Sequence, residues 1–299
     1  MVIVHLSGGF GNQLFSYAFG YSVAALRQEP LVIDSSIQDE KWFFRDPDIL
    51  EMEISYDKRL SYGIKRDLPS RAILNRIRYR NAIGWFTKEL REEGLQGSPE
   101  EIREACVRCP AKDIYLRGNW QREPFFSNFS NDIKTRFNFK KEMSSEPEEL
   151  KRKLQENPNS VAVHYRRGDY VRIGVSPSPD YFVRAMEDIA KNLGNPEFYV
   201  FTEDAEWVKE QFASLPYMIH YPEYSVQQGE SRGITDFRLI LSASHQIISN
   251  SSYSWWAAWL NPNPEKQVCY PYQEGHPLWD KDFGAEGWKP FPFTMLPKE

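Results

Sequence analysis

The chain has 299 residues, enough for two domains at roughly 100–200 residues each. Its 41% hydrophobic and 15% aromatic content supports sizeable cores. A net charge of −5 argues against a nucleic-acid partner, because such proteins carry a basic excess. No segment approaches the ~18–20 apolar residues of a membrane span.

The N-terminus, MVIVHLSGGFGNQ, lacks a basic leader and reads as a strand rather than a signal peptide. VIVHL (2–6) supplies that strand, Gly8-Gly9-Phe10-Gly11 a turn, and NQLFSYAFGYSVAALRQ (12–28) an amphipathic helix. A second strand follows at PLVID (30–34). Beyond it the chain becomes irregular and helical. The basic segment RAILNRIRYRNAIGWFTKELR (71–91) reads as a helix whose Arg71, Arg76, Arg78 and Arg80 either touch anionic lipid headgroups or form a solvated face.

Cys106 and Cys109 form a CxxC with no second pair to complete a zinc site, and Cys269 stands alone. Free thiols of a cytosolic chain are expected, which makes the sequons at Asn128 and Asn250 chance matches. A further strand is expected at IYLRG (114–118), and a domain division in the charged, proline-containing stretch 142–159, set at 155/156.

The second half alternates regularly. Strands are predicted at SVAVHY (160–165), EFYVFT (197–202), YMIHY (217–221), HQIIS (245–249) and QVCYP (267–271). Helices are predicted at 180–193, 205–215, 235–244 and 252–260. Strands alternating with helices imply an α/β fold, here two Rossmann-like domains over 1–155 and 156–299 facing across a cleft. The aromatic, proline-rich tail from His276 either packs back on the domains or stays loose.

Ligands of parallel sheets bind beyond the carboxyl ends of the strands, which selects four loops. In GGFGNQ, Gly9 and Gly11 let a ligand approach the backbone, but Leu14 stands where a dinucleotide fingerprint needs its third glycine. Asn12 and Gln13 suit sugar hydroxyls or phosphate oxygens, or Asn12 only caps the helix. In HYRRGDY, Arg166 and Arg167 suit a diphosphate; Asp169 either positions an arginine or accepts a proton, and His164 orients the loop or donates to phosphate. A surface ion-pair cluster is the plainer alternative. Thr202, Glu203 and Asp204 either grip a ribose or base edge or cap the next helix. Asn250, Ser251, Ser252 and Tyr253 sit at a helix mouth that can cradle a second anion. The tryptophans Trp255, Trp256 and Trp259 behind them read as core.

Two Asp-x-Asp strings, Asp46-Pro-Asp48 and Asp280-Lys-Asp282, fall in irregular sequence and read as surface loops, not metal sites. Without a metal, the charge on a diphosphate leaving group falls to arginines and helix ends.

Together, GGFGNQLFSYAFG, HYRRGDY and SNSSYSWWAAWLN resemble the α-1,2-fucosyltransferases of glycosyltransferase family eleven. The family's H-x-R-R-x-D pattern falls on His164, Arg166, Arg167 and Asp169. Ala243 replaces a cysteine of the family form, so no catalytic thiol is expected there. The resemblance implies a GT-B architecture and inverting transfer from GDP-β-L-fucose to a terminal β-galactoside without a metal or other cofactor. It also implies donor binding mainly by the C-terminal domain, with Arg166 on the β-phosphate, Asp169 as candidate base and Asn12 reaching the donor. Eukaryotic members are membrane-anchored, so the chain resembles the bacterial cytosolic enzymes of O-antigen synthesis, which act on oligosaccharide or lipid-linked glycan acceptors. Peripheral contact with the inner membrane through 71–91 fits that setting. Another GDP-sugar or fucose linkage, or a silent glycan- or nucleotide-binding protein, stays open as an alternative.

Overall fold

The computed structural model describes residues 1–35, 47–60, 84 and 86–298. They form two compact units, Met1–Lys141 and Glu142–Glu299.

The first unit is built on a five-stranded parallel sheet. Its strands are β1 (Val2–His5), β2 (Leu31–Asp34), β3 (Lys58–Leu60), β4 (Lys88–Arg91) and β5 (Ile114–Arg117), in the order β3-β2-β1-β5-β4. Helix α1 (Phe10–Arg27) returns from β1 and buries Leu14, Phe15, Ala18 and Phe19. It lies close to the sheet because position 20 is glycine: a Cβ there would stand 2.7 Å from the Cβ of Val4.

Helix α2 (Pro99–Arg108) opens with a capping box in which Ser98 and Glu101 exchange hydrogen bonds. At its other end Arg27 donates to the carbonyls of Cys106, Val107, Cys109 and Ala111, supplying partners that a helix terminus lacks. Burial pushes the Cys106 thiol up to about 12. Helix α3 (Ser130–Arg136) closes the unit.

Helix α4 (Ser145–Glu156) belongs to the second unit, not to the first as a division at 155 would have it. It packs on a later helix, its Leu154 carbonyl accepts from Ser160 Oγ, and Ser144 before it donates to Glu230.

The second unit carries β6 (Ser160–Tyr165), β7 (Glu197–Thr202), β8 (Met218–His220), β9 (His245–Ile247), β10 (Val268–Tyr272) and β11 (Lys289–Pro292). All pair in parallel, in the order β11-β10-β9-β6-β7-β8. Every residue of β6 is buried, as a strand covered on both faces requires. Its helices are α5 (Gly168–Ile173), α6 (Pro179–Leu193), α7 (Ala205–Phe212), α8 (Arg232–Ser242) and α9 (Ser252–Leu260). Trp255, Trp256 and Trp259 of α9 are core residues.

The segment expected as one helix over 71–91 ends instead in strand β4. Lys88-Glu89-Leu90-Arg91 are good helix formers, but pairing with β5 at the sheet edge overrides propensity. Residues 71–83, with the four arginines considered for lipid contact, lie outside the described residues, as does Asp46. Asp280 accepts a hydrogen bond from the Asp282 N–H and caps a short turn. The tail is ordered on the second unit: β11 pairs with β10, and Thr294 and Leu296 bond to Ser178 and Ser176. Among the described residues no helix is long and apolar enough to cross a membrane.

The close approach of α1 yields a test. Gly20→Ala gains roughly 1 kcal/mol of helix propensity but overpacks against Val4 at a cost of roughly 1–3 kcal/mol. Urea unfolding should show net destabilisation; a stabilised variant would mean α1 does not pack this tightly.

Candidate functional site

In the second sheet β6, β7 and β8 run outward in one direction, while β9 lies on the other flank of β6. The crevice beyond the ends of β6 and β9 is therefore a topological switch point, the usual ligand position of an open α/β sheet. The β6 loop brings Arg166 and Arg167 there, and the β9 loop brings Ser249 to Ser251 ahead of α9. Register adds Glu203 and Asp204, since Tyr165 pairs with Thr202 at the end of β7.

The two arginines have different surroundings. The Arg166 side chain, 35% exposed, donates Nη2 to Asp169 Oδ1 at 2.8 Å and Nη1 to Glu203 Oε1. Burial works against its charge, and the Glu203 and Asp169 carboxylates outweigh that, holding the guanidinium above its ordinary value. The Arg167 side chain is 2% exposed. Its Nε donates to Asp204 Oδ2 at 3.0 Å and its guanidinium stacks on Trp207 of α7, 3.5 Å from the ring centroid. The expected two-arginine fork thus resolves into one accessible guanidinium and one that anchors the loop. Trp207 gives no sign of this role in the sequence, because its partner comes from another element.

The remaining loop residues also divide into supports and exposed groups. Glu203 Oε2 accepts the Arg167 backbone N–H, and Thr202 Oγ1 accepts the Asp204 N–H. Asn250 is buried and donates to the Val175 carbonyl, so its side chain holds the loop. Ser176 Oγ donates to the Arg166 carbonyl while its own carbonyl accepts from Leu296, which ties the tail to the arginine loop. Ser251 stands at the N-cap position of α9 without a side-chain capping hydrogen bond, with Ser252 and Tyr253 partly exposed beside it. Tyr170 joins the two loops: its hydroxyl lies 3.4 Å from the Asn250 carbonyl, and its ring lies 5.6 Å from the Arg166 guanidinium.

His164 is buried, its ring 5.2 Å from that of Tyr253, and its Nδ1 has no hydrogen-bond partner among the described residues. Burial, and then the Arg166 charge, lowers its pKa from 6.5 to about 3. The imidazole is therefore neutral at physiological pH.

In the first unit, β1 and β5 are neighbours while β2 leads away from β1, which makes a second switch point. Gly8 takes φ +69°, Gly9 stands at the N-cap of α1 and Gly11 lies in its first turn. Gln13 is buried with its amide committed at both ends, donating to the Gly8 carbonyl at 2.9 Å and accepting the Ile49 N–H at 3.1 Å. It braces the loop. Asn12 is partly exposed and accepts from Gln121 Nε2 at 2.7 Å. A lone glutamine after a strand carries no pattern that would have singled out Gln121. Among the described residues no group of three or more His, Cys, Asp or Glu side chains gathers as a metal site.

Two α/β units on parallel sheets, each with its polar loops at a switch point, are the parts of a GT-B fold. The fucosyltransferase NodZ from Bradyrhizobium shares it, with a TM-score of 0.52 and 16% identity over 87% of this chain and 93% of that one. POFUT1 in complex with GDP does too, with a TM-score of 0.51 and 13% identity over 90% and 97%. The family model for glycosyl transferase family 11 matches residues 49–281, and the chain belongs to that family. Among curated proteins it is similar to the O-antigen biosynthesis glycosyltransferase WbnK of Escherichia coli, 29% identical over 89% of this chain and 92% of the relative. It is also similar to an alpha-1,2-colitosyltransferase of Escherichia coli, 26% identical over 87% of each.

The state of His164 has a measurable consequence. A histidine with a depressed folded pKa contributes its full stability above 6.5 and loses it as the pH falls toward 3, at up to about 1.4 kcal/mol per pH unit. His5, buried and lowered to about 4, adds in the same direction. Urea unfolding between pH 7 and 4.5 should therefore show a steep acid loss that is shallower in His164→Phe. Identical slopes would contradict a neutral, buried His164.

Proposed function

We propose that the chain transfers L-fucose from GDP-β-L-fucose to a hydroxyl of a terminal β-galactoside, inverting the anomeric centre and forming an α-1,2 linkage without a metal ion. Family membership supports glycosyl transfer, and the GDP-bound neighbour with the same fold supports the nucleotide. The observation that carries the chemistry is Arg166, the accessible guanidinium at the switch point.

In this reading the acceptor oxygen attacks C1 of the sugar as the bond from C1 to the β-phosphate oxygen breaks, releasing GDP. Negative charge grows on that phosphate. Arg166 meets it after exchanging Glu203 or Asp169 for phosphate oxygens, an exchange that costs little because exposed ion pairs contribute only about 0–1 kcal/mol. The N–H groups opening α9 face anions by the polarity of a helix. The acceptor proton passes to Asp169, or to the departing diphosphate if Asp169 only orients Arg166. Arg167, held by Asp204 and Trp207, keeps the loop in place.

The colitosyltransferase relative favours a second reading, in which a different sugar is transferred in the same linkage. The acceptor is proposed as an oligosaccharide or lipid-linked glycan, in keeping with the O-antigen relative.

Incubation with GDP-fucose and a panel of β-galactosides, with and without EDTA, should yield a product one deoxyhexose heavier by mass spectrometry, equally well in chelator. A product lost in EDTA would overturn metal independence. No product, with no GDP binding, would overturn the reading itself. Arg166→Ala should lower kcat/KM about 10- to 100-fold, the value of one charge-assisted hydrogen bond. If Asp169→Asn keeps near-full turnover, Asp169 orients the arginine and is not the base.

A further inference from the structure

The switch point of the first unit contains a built polar feature that the arginine site does not use. Residues 7–13 and 118–121 meet there, and neither stretch contains a charged side chain. Trp120 takes φ +53°, a left-handed conformation rare for any residue with a Cβ. Strained backbone of this kind persists only where its surroundings over-determine it, and it concentrates at functional sites.

The surroundings are specific. Glu92 Oε2 accepts the Asn119 N–H at 2.7 Å and the Trp120 N–H at 3.0 Å. A Cβ on Gly118 would lie 2.5 Å from the Glu92 Cβ, so only glycine lets the carboxylate in. The Trp120 ring is fully buried and stacks on Phe19 at 4.0 Å, and its Nε1 donor has no hydrogen-bond partner among the described residues. The outcome is that Gln121, next in the chain, reaches Asn12 with Nε2.

Both amides are partly exposed. Among the described residues the Gln121 Oε1 acceptor and second N–H have no partner, a pairing that matches a hydroxyl, which donates and accepts at once. The neutrality of both loops separates this feature from the phosphate chemistry at Arg166. Arg122, next in the chain, donates Nη1 to the Gln121 carbonyl.

We propose that the Asn12–Gln121 amide pair binds the hydroxyls of a neutral saccharide, and that Glu92 is the positioning residue that holds the pair in place. The inference rests on the glycosyl-transfer reading. The saccharide is either the acceptor or the sugar carried by the donor, and one experiment separates the two.

Steady-state KM for acceptor and for GDP-fucose, the GDP dissociation constant by calorimetry and the urea midpoint would be measured for wild type, Gln121→Ala, Glu92→Ala, Glu92→Gln and the double alanine variant. Gln121→Ala should raise one saccharide KM about tenfold while GDP affinity stays within about twofold. A shifted acceptor KM assigns the acceptor, and a shifted donor KM assigns the transferred sugar. Glu92→Ala should move the same KM, the double variant should be no worse than the stronger single one, and Glu92→Gln, which keeps an acceptor oxygen, should recover most of the loss.

Unchanged saccharide KM values in Gln121→Ala would overturn the binding role. A Glu92→Ala variant with a lowered urea midpoint and an unmoved KM would overturn the positioning role. A wild type that binds GDP yet transfers no sugar would overturn the transfer reading and this inference with it, an outcome distinct from a variant that transfers less.

Discussion

The second unit depends on one carboxylate. Glu203, at the end of β7, accepts the Arg166 guanidinium on one oxygen and the Arg167 backbone N–H on the other. It therefore fixes both arginines of the β6 loop from the neighbouring strand. Arg167 then settles against Asp204 and Trp207, and Arg166 is left partly in solvent. Between two adjacent arginines, the environment decides which stays free to exchange partners. Three carboxylates face the two guanidinium groups, so the site as it stands is not an open positive patch. Anion binding there requires exchange, which is inexpensive at the exposed arginine and costly at the buried one.

Each unit has a switch point, and the two have opposite electrical character. The one in the second unit gathers arginines, carboxylates and the N-terminus of α9. The one in the first unit gathers amides, glycines and a strained tryptophan, with no charge in either loop. A glycosyl donor presents a doubly charged diphosphate, and a sugar presents neutral hydroxyls. The chemistry of the two loops matches those two demands separately. Supports also differ: ion pairs and a cation–aromatic stack hold one loop, while Gln13 and Glu92 hold the other through backbone hydrogen bonds.

Much of the fold was legible in the sequence because its strands are apolar runs. β7 matches EFYVFT and α9 matches SYSWWAAWL to the residue, and the four loops chosen for chemistry do follow the carboxyl ends of parallel strands. Legibility failed where local preference and tertiary pairing disagree. Lys88–Arg91 carries helix formers into an edge strand, and Lys289–Pro292 forms a strand despite two prolines, which an edge tolerates. Helix α4 reads as a charged linker because only a few of its side chains are buried. Site roles proved harder still. Asn250 and Gln13 have the chemistry of ligand-binding amides, yet their hydrogen bonds go to the protein's own groups, the backbone and, for Asn250, also the Ser249 hydroxyl. Nothing local distinguishes Arg166 from Arg167, or marks Gln121, since the deciding partners lie elsewhere in the chain.

The most direct test of the central claim is calorimetric titration of GDP into wild type, Arg166→Ala and Arg167→Lys, each with its urea midpoint. If Arg166 is the accessible phosphate contact and Arg167 the anchor, Arg166→Ala weakens GDP by about 1.5–3 kcal/mol, the value of a charge-assisted hydrogen bond, with the midpoint unchanged. Arg167→Lys then lowers the midpoint, because an ammonium cannot reproduce the planar stack on Trp207. Unaltered GDP affinity in Arg166→Ala would contradict the account.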